Sequence, residues 1–114
     1  MTTLLDTALK LLSARPLSER ELTRLLEREF SAHPDLDQAI EATLARLRDL
    51  HVLNDHRLAE SLSHRYRHKG NRFIRTVLKQ KGLSDEVIEQ TLVECGDEYE
   101  RALEALHKKL YSVY

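Results

Sequence analysis

One segment of the chain concentrates basic side chains at helical spacing. Residues 64–82 read HRYRHKGNRFIRTVLKQKG, and residues 61–84 contain seven Lys or Arg, two His and no Asp or Glu. The whole chain is nearly neutral, with 18 Lys+Arg against 19 Asp+Glu. An acidic block follows at residues 85–104, with eight acids against one base. Because charge is segregated in this way, the basic segment predicts contact with a negatively charged partner.

The other side chains capable of catalysis or metal binding do not form a recognisable catalytic or metal site. His64 and His68 stand four residues apart, a spacing that can hold a metal, but no third ligand is evident and the neighbouring bases repel a cation. Cys95 follows an acidic segment, where a core or surface cysteine is expected rather than a nucleophile. There is no Gly-rich phosphate loop and no H-E-x-x-H motif. We therefore expect no enzyme, no metal and no cofactor.

Composition predicts a small helical protein. The 114 residues are 41% hydrophobic, with only three Gly and two Pro, which argues against a turn-rich β fold. A single cysteine excludes an internal disulfide and suits a reducing compartment. The N-terminus lacks the basic region of a signal peptide, and no apolar run approaches the roughly 18 residues of a membrane span. We expect a cytoplasmic location and no membrane contact.

The spacing of apolar residues predicts seven helices and no strand. Starts are indicated by a capping box at Ser18, by Asn54 or Asp55, by Ser84, and by a second box at residues 97–100. The expected breaks lie at Pro16, at residues 33–35, and at Gly70, Gly82 and Gly96.

An internal repeat organises these helices. Residues 37–44, DQAIEATL, match residues 85–92, DEVIEQTL, at five of eight positions. In the preceding helices Leu22, Leu25 and Leu26 superpose on Ile74, Val77 and Leu78. We predict an all-α fold of tandem three-helix repeats that form an elongated, curved rod. The expected boundaries are residues 1–52, residues 53–96 with the basic face, and residues 97–114 as a lone helix resembling the start of a third repeat.

The fifth helix is predicted to have one apolar and one basic face. On a helical wheel Arg72, Arg75 and Lys79 fall within about 60° of one another, opposite the apolar residues Phe73, Ile74, Val77 and Leu78. The first repeat has Arg20, Thr23 and Glu27 at the equivalent basic positions, so packing does not require the bias. With Arg67, the three bases are the favoured contact residues. Arg65 and Lys69 lie at the edge of the fourth helix's apolar stripe, where they can extend along the core or pair with acids.

Three interpretations of the basic segment remain open at this point. It can be an ordinary solvated face, a surface for phosphate groups, or a surface for an acidic protein. Phosphate contacts alone would make binding tolerant of sequence and steeply dependent on salt.

The order of these motifs is similar to that of the RecX family, bacterial regulators of the RecA recombinase. The resemblance extends from residue 4 to about residue 109. Leu53-Asn-Asp-His-Arg-Leu-Ala59 is similar to the family's L-D-D-x-R-F-A. Residues 69–83, with Gly70, Ile74-Arg75, Leu78 and Lys81-Gly82-Leu83, are similar to G-x-x-x-I-R-x-x-L-x-x-K-G-I.

The resemblance implies tandem three-helix repeats and binding in the groove of the RecA–DNA filament, which curbs filament growth, ATP hydrolysis and strand exchange. It implies contact with DNA through or beside the filament. We expect a monomer, and the alternative that the chain dimerises through its C-terminal end is left open. The filament-facing residues that it implies are Arg67, Lys69, Arg72, Arg75 and Lys79. The alternative function is a small helical nucleic-acid-binding module that acts through phosphate contacts alone.

This chain departs from the family pattern at several positions. Asn54 and Leu58 replace an Asp and a Phe, Asn71 stands where Pro is common, and Phe73 and Val77 stand where charged residues are usual. We expect residues 97–114 to correspond only to the first helix of the family's third repeat.

Overall fold

The structure, a computed structural model, describes the backbone of residues 3–111 and the side chains of residues 3–110. This part of the chain contains seven α-helices and no β-strand, which confirms the all-α prediction. The helices are α1 (Leu4–Ala14), α2 (Glu19–Glu29), α3 (Leu36–Asp49), α4 (Asp55–Arg65), α5 (Asn71–Gln80), α6 (Asp85–Glu94) and α7 (Glu98–Tyr111).

Local capping sequences explain where several helices begin. At the start of α2, Ser18 Oγ and a Glu21 carboxylate oxygen each accept the other residue's backbone N–H, at 3.1 and 3.0 Å. Ser84 Oγ caps α6 by accepting the backbone N–H of Val87 at 3.2 Å. A capping box at Thr3 opens α1 and was not predicted. Gly82, with φ of 88°, adopts the left-handed conformation expected just after α5.

The chain divides into two compact units within α4, one ending at Leu58 and the other beginning at Ala59. In the first unit, α1, α2 and α3 pack against one another. Their buried side chains, with those of two connections, form an aliphatic core. Its members are Ala8, Leu17, Leu22, Leu26, Ile40, Leu44, Leu47 and Leu53.

The second unit contains the rest of α4 together with α5, α6 and α7. Its buried apolar residues come from α4, α5, α6 and the connection before α6. They are Ala59, Ile74, Leu78, Leu83, Val87, Ile88 and Leu92. α7 differs from the other helices because, among its side chains at residues 98–110, the buried one is that of Arg101, at 7% exposure.

The structure gives the sequence repeat a physical basis. Ile40 and its counterpart Ile88 are both buried, as are the leucines four residues later in each helix. Thr43 and Thr91 are also buried, and each hydroxyl donates to the carbonyl four residues earlier, at 2.8 and 2.7 Å. The repeat therefore preserves both the core positions and a helix-internal hydrogen bond.

Among the described residues, no helix is long and apolar enough to cross a bilayer.

Candidate partner-binding surface on α5

α5 presents its basic residues on the side opposite its buried residues. Ile74 and Leu78, one helical turn apart, are buried in the second unit. Arg72 and Lys79 are exposed, and no described carboxylate forms an ion pair with either. The amphipathic helix predicted from the sequence is therefore present. We call Arg67, Lys69, Arg72, Arg75 and Lys79 together the basic surface.

Arg75 is anchored within its own unit. Its guanidinium forms an ion pair with the carboxylate of Glu89 on α6, and a second nitrogen–oxygen contact measures 3.5 Å. Glu89 is one of the five residues identical between the two repeats, and its counterpart Glu41 lies 3.5 Å from Arg48. Arg75 thus contributes charge to the basic surface while its side chain is held against α6.

Lys69 lies over an aromatic ring at the border of the basic surface. Its ammonium is 5.4 Å from the centroid of Phe73, and the ring of Tyr66 packs against Phe73 with centroids 5.4 Å apart. Phe73 lies at the edge of the apolar face predicted for α5 and is 44% exposed, because Tyr66 and Lys69 cover its ring only in part.

Arg67 lies in a different setting from the other four bases. It follows α4 and donates a hydrogen bond to the carbonyl of His64 at 3.1 Å. It lines an open cleft of about 450 Å³ that none of the other four lines. The cleft residues are Glu60, Ser63, His64, Arg67, Thr91, Glu94 and Cys95. Within the described part of the chain, no three His, Cys, Asp or Glu side chains are grouped as metal ligands.

Asn71 holds α7 against the start of α5. Its backbone N–H donates to the carboxylate of Glu98 at 3.1 Å, and its side-chain oxygen accepts a hydrogen bond from Arg101. Gly70 has no side chain, and a Cβ there would collide with the Glu98 carboxylate. We call these contacts the Asn71 clamp. The sequence indicates Asn71 only as a position where the family commonly has Pro, and it does not indicate Glu98 or Arg101, because no local pattern links residues 27 to 30 positions apart.

An equivalent hydrogen bond occurs in the first unit. There the backbone N–H of Glu19, the first residue of α2, donates to Asp55 at 3.0 Å. Asp55 is the first residue of α4, as Glu98 is the first residue of α7. In both units a carboxylate from a later helix therefore caps the second helix. This recurrence supports the interpretation of residues 97–114 as the opening of a further unit, which stays a prediction.

The residues around Asp55 explain part of the motif in residues 53–59. Half-burial raises the pKa of Asp55, and the hydrogen bond from Glu19 only partly opposes that effect. Asn54 caps α4 by accepting the backbone N–H of Arg57 at 3.1 Å, so Asn performs there the capping role for which Asp is equally suited. Arg48 pairs with Glu19 at 2.6 Å, and the hydrogen bond to Glu19 raises the pKa of Arg48.

Comparison with known proteins agrees with this architecture. The family model described as "RecX, second three-helix domain" matches residues 54–92. The chain is 39% identical over 108 residues to the regulatory protein RecX of Pseudomonas savastanoi pv. phaseolicola, covering 93% of this chain and 67% of that protein. It is 36% identical to the proteins of the same name from Chlorobaculum tepidum and Pseudomonas fluorescens, covering 93% and 98% of this chain.

The chain spans 65% of the Chlorobaculum protein and 76% of the Pseudomonas fluorescens protein. No solved structure gives a significant match. The identity to several RecX proteins, over nearly all of the chain, shows that it belongs to the RecX family of regulatory proteins.

Proposed function

We propose that this chain regulates the RecA recombinase by binding in the groove of the RecA–DNA filament through the basic surface of its second unit. Binding there damps filament growth, ATP hydrolysis and strand exchange. RecA is the protein partner, and DNA is contacted through or beside the filament.

The observation that carries the proposal is the difference between α5 and α2 at matched positions. The two helices have the same pattern of burial at six equivalent positions. Leu22/Ile74 and Leu26/Leu78 are buried, Leu25/Val77 and Thr23/Arg75 are half-buried, and Arg20/Arg72 and Glu27/Lys79 are exposed. Two of the three outward positions are basic only in α5. Of these two, Arg75 is paired with Glu89 inside the unit. The core does not account for the charge of Lys79, which has no described carboxylate partner, and a negatively charged partner does.

The exposed bases fit a filament whose axis is DNA. Arg72 and Lys79 have no described carboxylate partner, so they are available to phosphate or carboxylate groups. Arg75 is already engaged with Glu89, and it contributes to the local field more than to direct contact. We therefore propose Arg72 and Lys79 as the principal contact residues, with Lys69 and Arg67 at the border.

The first experiment is RecA's ATP hydrolysis on single-stranded DNA, titrated with the 114-residue chain and two matched variants. Arg72→Glu/Lys79→Glu reverses the exposed charges of α5 and leaves the Arg75–Glu89 pair intact. Arg20→Glu/Arg24→Glu makes the same change in net charge on exposed residues of α2. We expect the parent and the α2 variant to inhibit hydrolysis, and the α5 variant to inhibit at least about tenfold less well, because two attractive contacts become repulsive.

Equal inhibition by all three proteins would contradict the assignment to α5, and no inhibition by any would contradict the assignment to RecA. A parallel measurement of binding to single-stranded DNA without RecA tests the alternative. A phosphate-binding module would bind naked DNA and release it steeply as salt rises.

A further inference from the structure

Phe73 exposes an aromatic ring beside the bases of the basic surface. It is 44% exposed, whereas the chain's other phenylalanine, Phe30, packs against the core of the first unit. The ring of Tyr66 packs against Phe73 at an interplanar angle of 59°. Lys69 and Arg72 are exposed, and no described carboxylate forms an ion pair with either. The second unit therefore presents an accessible ring together with two unpaired cations.

Neither helix capping nor core packing accounts for a phenylalanine at position 73. Phe73 is the third residue of α5, and its counterpart in α2 is Glu21, which closes the capping box of that helix. Asp6, the third residue of α1, has the same role. At α5 the capping carboxylate comes instead from Glu98, so position 73 does not serve the cap. Because the ring is also outside the buried core, its exposure calls for a contact beyond the fold.

An exposed ring beside cations matches the chemistry of single-stranded DNA. An unpaired base presents a flat π face that stacks on an aromatic side chain, and its phosphates bind neighbouring Lys or Arg. In a duplex the bases are stacked on one another, so a duplex does not offer such a face. An acidic protein would pair with Lys69 and Arg72 but would leave the ring of Phe73 unused. The combination of ring and cations therefore favours a single strand.

Lys69 occupies the place over the ring that a base would take. Its ammonium lies 5.4 Å from the centroid of Phe73, which is a cation–π distance. The lysine is exposed, so this contact is weak, and the stacking of a base on an aromatic ring is the stronger interaction. A base that replaces the ammonium also frees Lys69 for a phosphate. The exchange therefore creates a stacking contact and a phosphate contact together.

We propose that Phe73 is a stacking site for one base of single-stranded DNA, with Lys69 and Arg72 binding the adjoining phosphates and Tyr66 supporting the ring. This inference rests on the proposed function, because it concerns the DNA contact of the basic surface. It adds a contact to the base, which phosphate binding alone does not include. Since every base has a π face, the site accepts different sequences.

Tryptophan fluorescence tests the stacking directly. The chain contains no tryptophan, so Phe73→Trp places a single indole at this position. Titration at low salt with an oligodeoxythymidylate of about 12 nucleotides should quench its emission, because a stacked base contacts the indole. A strand of stable abasic sites with the same length carries the same phosphates and should not quench it. Val93→Trp is the control, since Val93 is 80% exposed on α6 and lies outside the basic surface. Its emission should change with neither strand.

The fluorescence anisotropy of labelled strands measures the effect on affinity. The parent should bind the strand with bases about 5- to 100-fold more tightly than the abasic strand. Phe73→Leu should lose this preference and Phe73→Tyr should keep it, and circular dichroism should show that both variants are folded.

Three results overturn the inference. They are equal affinity of the parent for the two strands, a preference for bases that persists in Phe73→Leu, and quenching of Val93→Trp as strong as that of Phe73→Trp. A parent that binds neither strand at low salt also overturns it, and would favour an acidic protein as the partner of these cations. RecA is absent from these measurements, so the two proposals can fail separately. Inhibition of RecA by a parent without a preference for bases would contradict only the stacking site.

Discussion

At the scale of single residues, two carboxylates connect helices that are far apart in the chain. Asp55 and Glu98 each accept the first backbone N–H of an earlier helix, 36 and 27 residues away in the chain. A carboxylate at a helix N-terminus is favoured by the helix dipole, but burying it costs solvation. For Asp55 the cost of burial exceeds the opposing effects, because its pKa is raised above the ordinary value of 3.8.

The raised pKa leads to a prediction about stability and pH. The folded state holds the Asp55 proton more tightly than the unfolded state, so this group's favourable contribution is lost as pH rises through the folded-state pKa. Asp55→Asn keeps an oxygen acceptor and does not ionise. We expect the free energy of unfolding of Asp55→Asn, relative to the parent, to increase as pH rises from about 4 and then level off. Urea unfolding across pH measures this difference.

Asp55→Ala is the matched control for the hydrogen bond. It removes both the charge and the acceptor, so it should be less stable than Asp55→Asn by about 1 kcal/mol at every pH. Parallel pH profiles for the parent and Asp55→Asn would show that burial of this carboxylate has no energetic consequence.

At the scale of elements, different residues of α5 serve stability and the proposed binding of a partner. Its buried residues hold the second unit together, and its exposed bases do not take part in that core. Leu78→Ala should reduce the free energy of unfolding by about 2–5 kcal/mol, because it removes buried methyl groups and leaves a cavity. Arg72→Glu/Lys79→Glu should change it by less than about 1 kcal/mol. Thermal or urea unfolding checks both, and a large loss in the charge-reversed variant would mean that this face is buried.

The placement of α7 depends on the Asn71 clamp. Asn71→Ala removes the acceptor for the buried Arg101 guanidinium, so it should destabilise α7 by about 1–3 kcal/mol. Amide hydrogen exchange should accelerate over residues 98–111 while α2 and α3 are unchanged. Gln80→Ala, an exposed change at the other end of α5, serves as the control and should have no such effect. Unchanged exchange in α7 would show that packing, not the clamp, holds the helix.

At the scale of the whole molecule, net charge conceals a regional difference. The chain has a formal charge of −1, yet its second unit contains both the basic segment and the acidic block. Attraction to a filament is therefore expected from one surface only, and it should depend on salt through the phosphates that surface neutralises.

The salt dependence of binding to RecA–DNA filaments measures how many phosphates the basic surface neutralises. Arg72→Ala and Lys79→Ala should each reduce the slope of log affinity against log salt concentration by about 1 in magnitude. Arg20→Ala, at the position of α2 equivalent to Arg72, should leave the slope unchanged. A slope that falls equally in all three variants would indicate a general charge effect and not a local contact.

The sequence by itself determined the features that depend on neighbours within about four residues. Helix number, the caps at Ser18 and Ser84, the repeat and the two faces of α5 are all visible as local patterns, since a helix is specified by contacts between residues three and four apart. Comparison of the repeats then separated core positions from outward ones.

Only the tertiary structure decided which of the predicted side chains have internal partners. Contacts between different helices form the Arg75–Glu89 pair and the Asn71 clamp, and they cannot be read from spacing within one helix. The partial exposure of Phe73 likewise depends on its neighbours outside α5. The orientation of α7 is the clearest case. Its sequence shows an apolar stripe, and only the packing of Arg101 against α5 determines that this stripe faces away from the described core.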